Sequence, residues 1–153
     1  LELCQIIHLS GQRDEPRLDR QRRDLPDRLR PRYHLYCYKH EDLPWAMAAA
    51  DLALMRAGAS VKGDLPAVGL PAILVPYPHA TDDHQTGNAA YLADAGAAIL
   101  LPQPELNDEA LARELQRLGG DREVLLAMAN RARELAVTDA AQQVARLCLE
   151  AAA

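Results

Sequence analysis

Short apolar runs of strand length alternate along this chain with segments of helical pattern, and that alternation constrains the fold more than any other feature. The runs lie at residues 5–9 (QIIHL), 33–38 (YHLYCY), 52–55 (LALM), 72–75 (AILV) and 97–101 (AAILL). Helices are predicted between them, near residues 14–29, 42–50, 64–68 and 83–94. Alternation of this kind is typical of a parallel sheet with helices on both faces. The sequence therefore predicts an α/β, Rossmann-like fold with about five parallel strands.

After the last apolar run the pattern is helical only. Asn107 and Asp121 are predicted N-caps of two amphipathic helices, and Gly119-Gly120 is predicted to end the first of them. Val144, Leu147 and Cys148 form the apolar stripe of a third helix. Residues 1–153 are thus predicted to be one domain with a helical C-terminal tail.

The charge of the chain limits its partners. A net charge of -5 and a pI near 5.5 give no general attraction to nucleic acid. Eight arginines fall within residues 13–32, but five acidic residues are interleaved with them, which predicts a solvated helical face. A role for this segment at a membrane surface or on phosphate is the alternative. No apolar run approaches the length of a membrane span, and no signal peptide is predicted.

In an open parallel sheet, ligands bind beyond the carboxyl ends of the strands. The loops at residues 39–44, 56–64 and 76–86 are therefore the places to expect a site. The second loop reads RAGASVKGD, in which small residues would let a ligand approach the backbone and N–H groups at a helix start would suit a pyrophosphate. A tight structural turn that needs the same glycines is the alternative. Neither a Walker A motif nor GxGxxG is present.

The third loop lies in VPYPHATDDHQTGNA, residues 75–89. It contains two histidines and two aspartates, but their spacing matches no zinc or two-metal signature, so no metal site is predicted. Capping of the next helix by Thr81 or Asp82 would explain part of the polarity without a ligand. The rigid segment Pro76-Tyr77-Pro78 favours a loop that presents a ligand.

Three segments, ADLALMRAGAS, GLPAILVPYPHATDDHQTGNA and YLADAGAAILL, resemble the UDP-sugar-binding half of the MurG family. These are peptidoglycan N-acetylglucosaminyltransferases with a GT-B fold, in glycosyltransferase family 28. The resemblance runs from Ile6 to the C-terminal helices. It implies inverting transfer of N-acetylglucosamine from UDP-N-acetylglucosamine to a lipid-linked muramyl-peptide acceptor. No cofactor and no obligatory metal are implied, and the expected location is cytoplasmic, peripheral on the inner face of the cell membrane.

The resemblance also implies which residues bind the donor. Residues 59–64 would line the phosphates and ribose, the backbone around Lys39 or His40 would meet the uracil edge, and Gln85 beside His84 would contact the sugar or diphosphate. A glutamine can both donate and accept toward hydroxyls. The full predicted set is Lys39, His40, Arg56, Gly58, Ala59, Ser60, Val61, Lys62, Gly63, Asp64, His84 and Gln85. None of these is implied to be catalytic.

Where the family usually reads something like STISELAA, this chain has SVKGDLPA at residues 60–67, and two of the differences bear most on the site. Asp64 stands where the family has a glutamate that binds the ribose hydroxyls, so its carboxylate is shorter by one methylene. Pro66 lies where the family has helix interior, at a cost of roughly 3 kcal/mol. Alternatively the helix starts later, with Asp64 as its cap and Pro66 in its first turn. Lys62 is predicted to compensate as a phosphate partner.

The family's first strand and glycine loop are absent from this sequence. In the strand order 3-2-1-4-5-6 that strand is central, so its neighbours should be unpaired or pair directly. The acceptor-binding half and the family's general base are absent too, and the chain alone is expected to be inactive. Two main interpretations stay open: a fragment of a peptidoglycan glycosyltransferase, or a stand-alone or partner-dependent nucleotide-sugar-binding subunit that need not be catalytic. A different UDP-sugar enzyme of the GT-B type, such as an epimerase, is a third and more remote interpretation.

Overall fold

A computed structural model describes residues 1–38 and 42–152. Its strands are β1 (Ile6–Leu9), β2 (Tyr33–Tyr36), β3 (Ala53–Met55), β4 (Ala72–Leu74) and β5 (Ala98–Leu100). Its helices are α1 (Gly11–Arg23), α2 (Leu43–Ala49), α3 (Val61–Val68), α4 (His84–Asp94), α5 (Asp108–Gly120), α6 (Arg122–Glu134) and α7 (Ala140–Ala151). The five predicted strands are confirmed, each with bounds shortened by a residue or two.

The strands form two parallel sheets. In the first, β1 pairs with β2 and Ile6 lies opposite Tyr33; in the second, β4 is central and Ala72 lies opposite both Ala53 and Ala98. A helix lies between each pair of successive strands, and parallel pairing requires such crossover connections. Within the described residues β1 and β3 belong to different sheets and do not pair with each other.

The apolar core is built around β4, whose three residues are fully buried. Successive side chains of a strand point to opposite faces of the sheet. Ala72 and Leu74 therefore join one cluster, and Ile73 and Val75 join the other. The first cluster contains Val61, Leu65, Ala89 and Leu92 of α3 and α4; the second contains Leu118 and Met128 of α5 and α6. Helices thus cover both faces of this sheet, as predicted.

The first third of the chain contributes little to this core. No residue of β1, α1 or β2 is buried, and among the described residues the first buried side chain is Ala57. Strand pairing joins β1 to β2, and polar contacts add to it, such as the one between His8 Nδ1 and the Tyr33 hydroxyl, 2.6 Å apart. Elements with few buried apolar contacts open at low free energy, so these elements should be less protected than the sheet built around β4.

The arginines near α1 are paired locally. Ion pairs join Arg17–Asp14, Arg22–Asp19, Arg23–Asp19, Arg28–Glu2 and Arg30–Asp27. Helix α1 ends at Arg23, earlier than predicted, and has no buried residue, so the prediction of a solvated helical face is confirmed. In residues 1–38 and 42–152, no helix is both long enough and apolar enough to span a membrane.

The C-terminal helices agree with the prediction except at one boundary. Asn107 accepts a hydrogen bond from the Ala110 N–H (2.8 Å), and Asp121 accepts one from the Glu123 N–H (3.0 Å), which confirms both N-caps. The predicted stop at Gly119-Gly120 is wrong, because α5 includes both glycines and ends against Asp121. Helix α7 is present, but its stripe is solvent-exposed, with Leu147 63% accessible.

Candidate functional site

The loops that follow β3 and β4 lie side by side at the carboxyl edge of the second sheet. The Val75 N–H donates to the Met55 carbonyl (2.9 Å), so the pairing of the two strands extends to their ends. Beyond it the chain continues into α3 and α4, whose first turns contain six of the twelve predicted donor-binding residues: Val61, Lys62, Gly63, Asp64, His84 and Gln85. Lys39 and His40 lie outside the described residues, and their predicted roles stay predictions.

The fold does not require glycine at the two glycine positions of the segment after β3, residues 56–64. Gly58 and Gly63 have no positive φ, and a Cβ at either position would have no neighbouring atom within 4 Å. Gly69, which ends α3, shows the contrast: its φ is +65°, and a Cβ there would contact the Arg133 side chain. The alternative of a tight turn that needs Gly58 and Gly63 is therefore wrong, and the two positions leave open space above the backbone.

Backbone N–H groups next to these glycines in the chain are left without partners. Ser60 occupies the N-cap position of α3 without a side-chain capping bond, and its carbonyl accepts from the N–H groups of Gly63 (2.9 Å) and Asp64 (2.8 Å). In the described part of the chain, the N–H groups of Ala59, Ser60 and Lys62 have no hydrogen-bond partner. Unpaired donors at a helix start, together with the helix dipole, favour an anionic group.

Helix α3 begins at Val61, which decides between the alternatives for Asp64 and Pro66. The later start with Asp64 as the cap is wrong: Asp64 lies in the first turn, and Pro66 is buried inside the helix. The Asp64 carboxylate is exposed and has no hydrogen bond or ion pair with any described residue. It is therefore available to a ligand. The cost of Pro66 falls on the Lys62 carbonyl, which lacks its usual donor four residues on.

Lys62 is directed toward α4. Its ammonium lies over the Tyr91 ring, 5.9 Å from the centroid, in a cation–π arrangement at the protein surface. Both side chains are exposed, so this contact stabilises the pair only modestly. A role of Lys62 as a phosphate partner stays a prediction.

The loop after β4 has an unusual backbone where it enters α4. Asp82 and Asp83 have φ angles of 51° and 50°, a conformation that costs non-glycine residues about 1 kcal/mol or more each. Asp83, not Thr81 or Asp82, occupies the N-cap position, and its carboxylate accepts from the Thr86 hydroxyl (2.7 Å) rather than from a backbone N–H. The capping prediction is therefore wrong. In the same described part of the chain, no group of three potential metal ligands is assembled.

His84 and Gln85 are both oriented by the main chain. His84 Nδ1 lies 2.6 Å from the Thr81 carbonyl, and because a carbonyl only accepts, Nδ1 must carry the proton. Gln85 Oε1 accepts from the Tyr77 N–H at 2.9 Å. The oxygen of Gln85 is thus engaged with the loop, and Nε2 is the part of the amide left to a ligand.

Asn88 is a site residue that the sequence argument missed. It is the one buried polar side chain of the described core, and its Nδ2 donates to the carbonyl of Ala57 at 3.0 Å. This bond connects α4 to the start of the loop after β3. A signal was available in the sequence: Asn88 shares its helix face with Ala89 and Leu92, so a polar residue occupies a predicted core position.

Arg56 is exposed, yet its guanidinium is bonded to the main chain at the exit of β4. Its Nη1 donates to the carbonyls of Val75 (3.3 Å) and Pro76 (3.1 Å), and its guanidinium lies 5.7 Å from the centroid of the Tyr77 ring. The Tyr77 ring in turn meets the His79 ring edge-on at 5.6 Å. Arg56 therefore joins the end of β3 to the exit of β4.

The chain is similar in sequence to known glycosyltransferases. The glycosyltransferase family 28 C-terminal domain matches residues 2–144. The UDP-N-acetylglucosamine--N-acetylmuramyl-(pentapeptide) pyrophosphoryl-undecaprenol N-acetylglucosamine transferase of Shewanella amazonensis is 56% identical over 112 residues, which are 73% of this chain and 31% of that protein. Its namesake from Methylococcus capsulatus is 55% identical over 112 residues, 73% of this chain and 32% of that protein. The chain thus spans about a third of the length of these curated relatives.

Solved structures agree. The crystal structure of Acinetobacter baumannii MurG is 34% identical, with a TM-score of 0.84, and the match covers 95% of this chain and 43% of that one. Spinosyn forosaminyltransferase SpnP, 17% identical with a TM-score of 0.59 over 94% of this chain and 42% of that one, shares the fold alone. This chain belongs to the glycosyltransferase family 28 C-terminal domain family, and its fold is that of the C-terminal half of a GT-B glycosyltransferase.

Proposed function

We propose that this chain binds UDP-N-acetylglucosamine between the loops that follow β3 and β4, as the donor-binding half of a peptidoglycan N-acetylglucosaminyltransferase. The observation that carries the proposal is the open space at Gly58 and Gly63. Neither the backbone conformation nor the packing requires glycine at these positions, and N–H groups without partners lie next to them in the chain. Relatives named for transfer of N-acetylglucosamine to a lipid-linked muramyl-peptide supply the substrate class.

Each group at the site has a chemical counterpart in the donor. The N–H groups of Ala59, Ser60 and Lys62 suit the diphosphate. The unpaired carboxylate of Asp64 can accept two hydrogen bonds from the vicinal hydroxyls of the ribose. Gln85 Nε2 can donate to the sugar or the diphosphate. In the transfer step, the same N–H groups would stabilise the negative charge that builds up on the departing UDP.

The proposal assigns no catalytic residue to this chain. The general base and the binding site for the lipid-linked acceptor would lie in the remaining two thirds of a protein of the relatives' length, at the cytoplasmic face of the membrane. The 153 residues alone would bind the donor without transferring its sugar. A stand-alone donor-binding subunit would have the same site, and nothing in the geometry favours it.

Calorimetric titration of the chain with UDP-N-acetylglucosamine, beside UDP-glucose, tests the proposal. We expect saturable binding that prefers the acetylated sugar. Asp64→Ala and Gln85→Ala should each weaken it about 5- to 20-fold, the usual effect of losing a hydrogen bond to a charged or polar ligand group.

Two exposed residues outside the loops serve as matched controls. Asp94→Ala, at the end of α4, and Gln116→Ala, on α5, remove the same kinds of side chain and should leave the affinity unchanged. Circular dichroism establishes that each variant is folded. Absence of binding by the folded wild-type chain, or equal losses in the site and control variants, would refute the proposal.

A further inference from the structure

We infer that Arg56 is a positioning residue that acts through the main chain of Tyr77 to hold the Gln85 amide with its NH2 group toward the ligand. The inference rests on the proposed function in one respect, namely that Gln85 faces the donor. It differs from the role that the sequence predicts for Arg56, which is direct contact with the nucleotide.

The first step is the hold of Arg56 on the exit of β4. Its single Nη1 atom donates to two successive carbonyls, those of Val75 and Pro76, and both of these residues are buried. A charge-assisted bond to a carbonyl is stronger than a neutral one, and two from one nitrogen fix the peptide planes relative to each other. The guanidinium also lies over the Tyr77 ring, so it restrains the next residue as well.

The second step is the bond between this exit and α4. The Tyr77 N–H donates to Gln85 Oε1 across a segment of eight residues. A backbone N–H can bond only to the oxygen of the side-chain amide, so the orientation of the amide is settled by chemistry. Pro76 and Pro78 flank Tyr77 and restrict its backbone, which keeps the N–H direction fixed once the carbonyls are held.

The consequence is a constraint on the ligand. With Oε1 engaged, Gln85 offers the two hydrogens of Nε2, and no described residue accepts them. The ligand group beside Gln85 must then be an acceptor, such as a diphosphate oxygen or a hydroxyl lone pair. Arg56 sets this preference without touching the ligand.

Hydrogen exchange of the Tyr77 amide in the full 153-residue chain tests the positioning step without any ligand. Exchange is followed by NMR for the wild type, Arg56→Ala, Gln85→Ala and Gln85→Glu, with Arg122→Ala, an exposed arginine on α6, as control. We expect both alanine variants at the site to raise the Tyr77 exchange rate about five- to tenfold, the effect of losing one hydrogen bond. Gln85→Glu keeps the acceptor and should keep the protection, as should Arg122→Ala.

A Tyr77 amide that stays protected in Arg56→Ala while it loses protection in Gln85→Ala would overturn the inference. If Arg56→Ala does not fold, Arg56→Lys decides instead. Lysine retains the charge but lacks the planar guanidinium over Tyr77. A positioning role therefore predicts that the Tyr77 amide loses protection in Arg56→Lys, whereas a purely electrostatic role predicts that it stays protected.

Titration with UDP-N-acetylglucosamine and with UDP then separates positioning from direct phosphate contact. If Arg56 acts through Gln85, Arg56→Ala weakens binding in the wild type but by less than about twofold in the Gln85→Ala background. If Arg56 instead contacts a phosphate directly, Arg56→Ala weakens the binding of both ligands by the same factor in both backgrounds, and that result would overturn the inference. Failure of the wild type to bind either ligand refutes the proposed function, while the exchange measurement still decides the role of Arg56.

Discussion

Replacement of Asn88 by alanine removes the bond that joins α4 to the loop after β3. The Ala57 carbonyl would lose its donor in a place where Ala57 is 0% exposed, and an unsatisfied buried acceptor costs about 1–3 kcal/mol. The small space left by the amide adds to this, and the better helix propensity of alanine offsets roughly 0.5 kcal/mol. We expect a loss of about 2 kcal/mol in the free energy of unfolding, or roughly 4–8 °C in Tm for a chain of this size.

Thermal and urea unfolding followed by circular dichroism measure this loss. Asn130→Ala is the matched control, because Asn130 is exposed on α6 and its oxygen accepts only from Arg133 (3.1 Å); its effect should stay within about 0.5 kcal/mol. Asn88→Asp, which sets an oxygen against the Ala57 carbonyl, should destabilise at least as much as alanine. If Asn88→Ala and Asn130→Ala are equally mild, the bond does not hold the loop and the reasoning is refuted.

Further substitutions test the site and the surface. Gly63→Ala should raise stability by about 0.5–1 kcal/mol, since it places alanine in a helix with open space, yet weaken UDP-N-acetylglucosamine binding; Gly119→Ala should stabilise without that loss. Asp64→Glu should tighten binding in calorimetry if the ribose is held there. Arg22 beside Asp19 lowers the pKa of that carboxyl, so its stabilising effect is present at neutral pH and lost as pH falls through the folded pKa; the stability difference between wild type and Asp19→Asn, measured by urea unfolding, should disappear in acid.

The strands could be predicted because their signal is local. Runs such as AILV at residues 72–75 are apolar throughout, and their short length and their alternation with helical segments distinguish them from buried helices. Helix ends were harder, because they depend on competing terms. Gly119 and Gly120 stay inside α5 because Asp121 is needed as the cap of α6, so the tight connection between the helices decides the boundary.

The loop contacts could not be predicted because they join residues far apart in the chain. Nothing local indicates that the Gln85 oxygen meets the Tyr77 N–H, or that Arg56 reaches the carbonyls of Val75 and Pro76. The Arg56 bonds depend on the parallel pairing of β3 and β4, which brings the two exits together, and the Gln85 bond depends on how the chain after β4 folds back onto the first turn of α4. The sequence showed which residue types gather at the carboxyl edge. Only the structure shows which of these residues support the loop and which are left to face a ligand.

The position of Pro66 shows why the site can retain its geometry despite a residue that opposes a helix. Helix α3 begins five residues earlier, at Val61, so the ring of Pro66 lies beyond the first turn and is buried in the core. The bond it removes belongs to the Lys62 carbonyl, and carbonyls point toward the C-terminal end of a helix, away from the N–H groups that border the open space. The proline therefore lowers the stability of α3 without removing any of the donors that would meet a diphosphate. Of Pro66 and Asp64, only the side chain of Asp64 lies on the surface that a nucleotide sugar would contact.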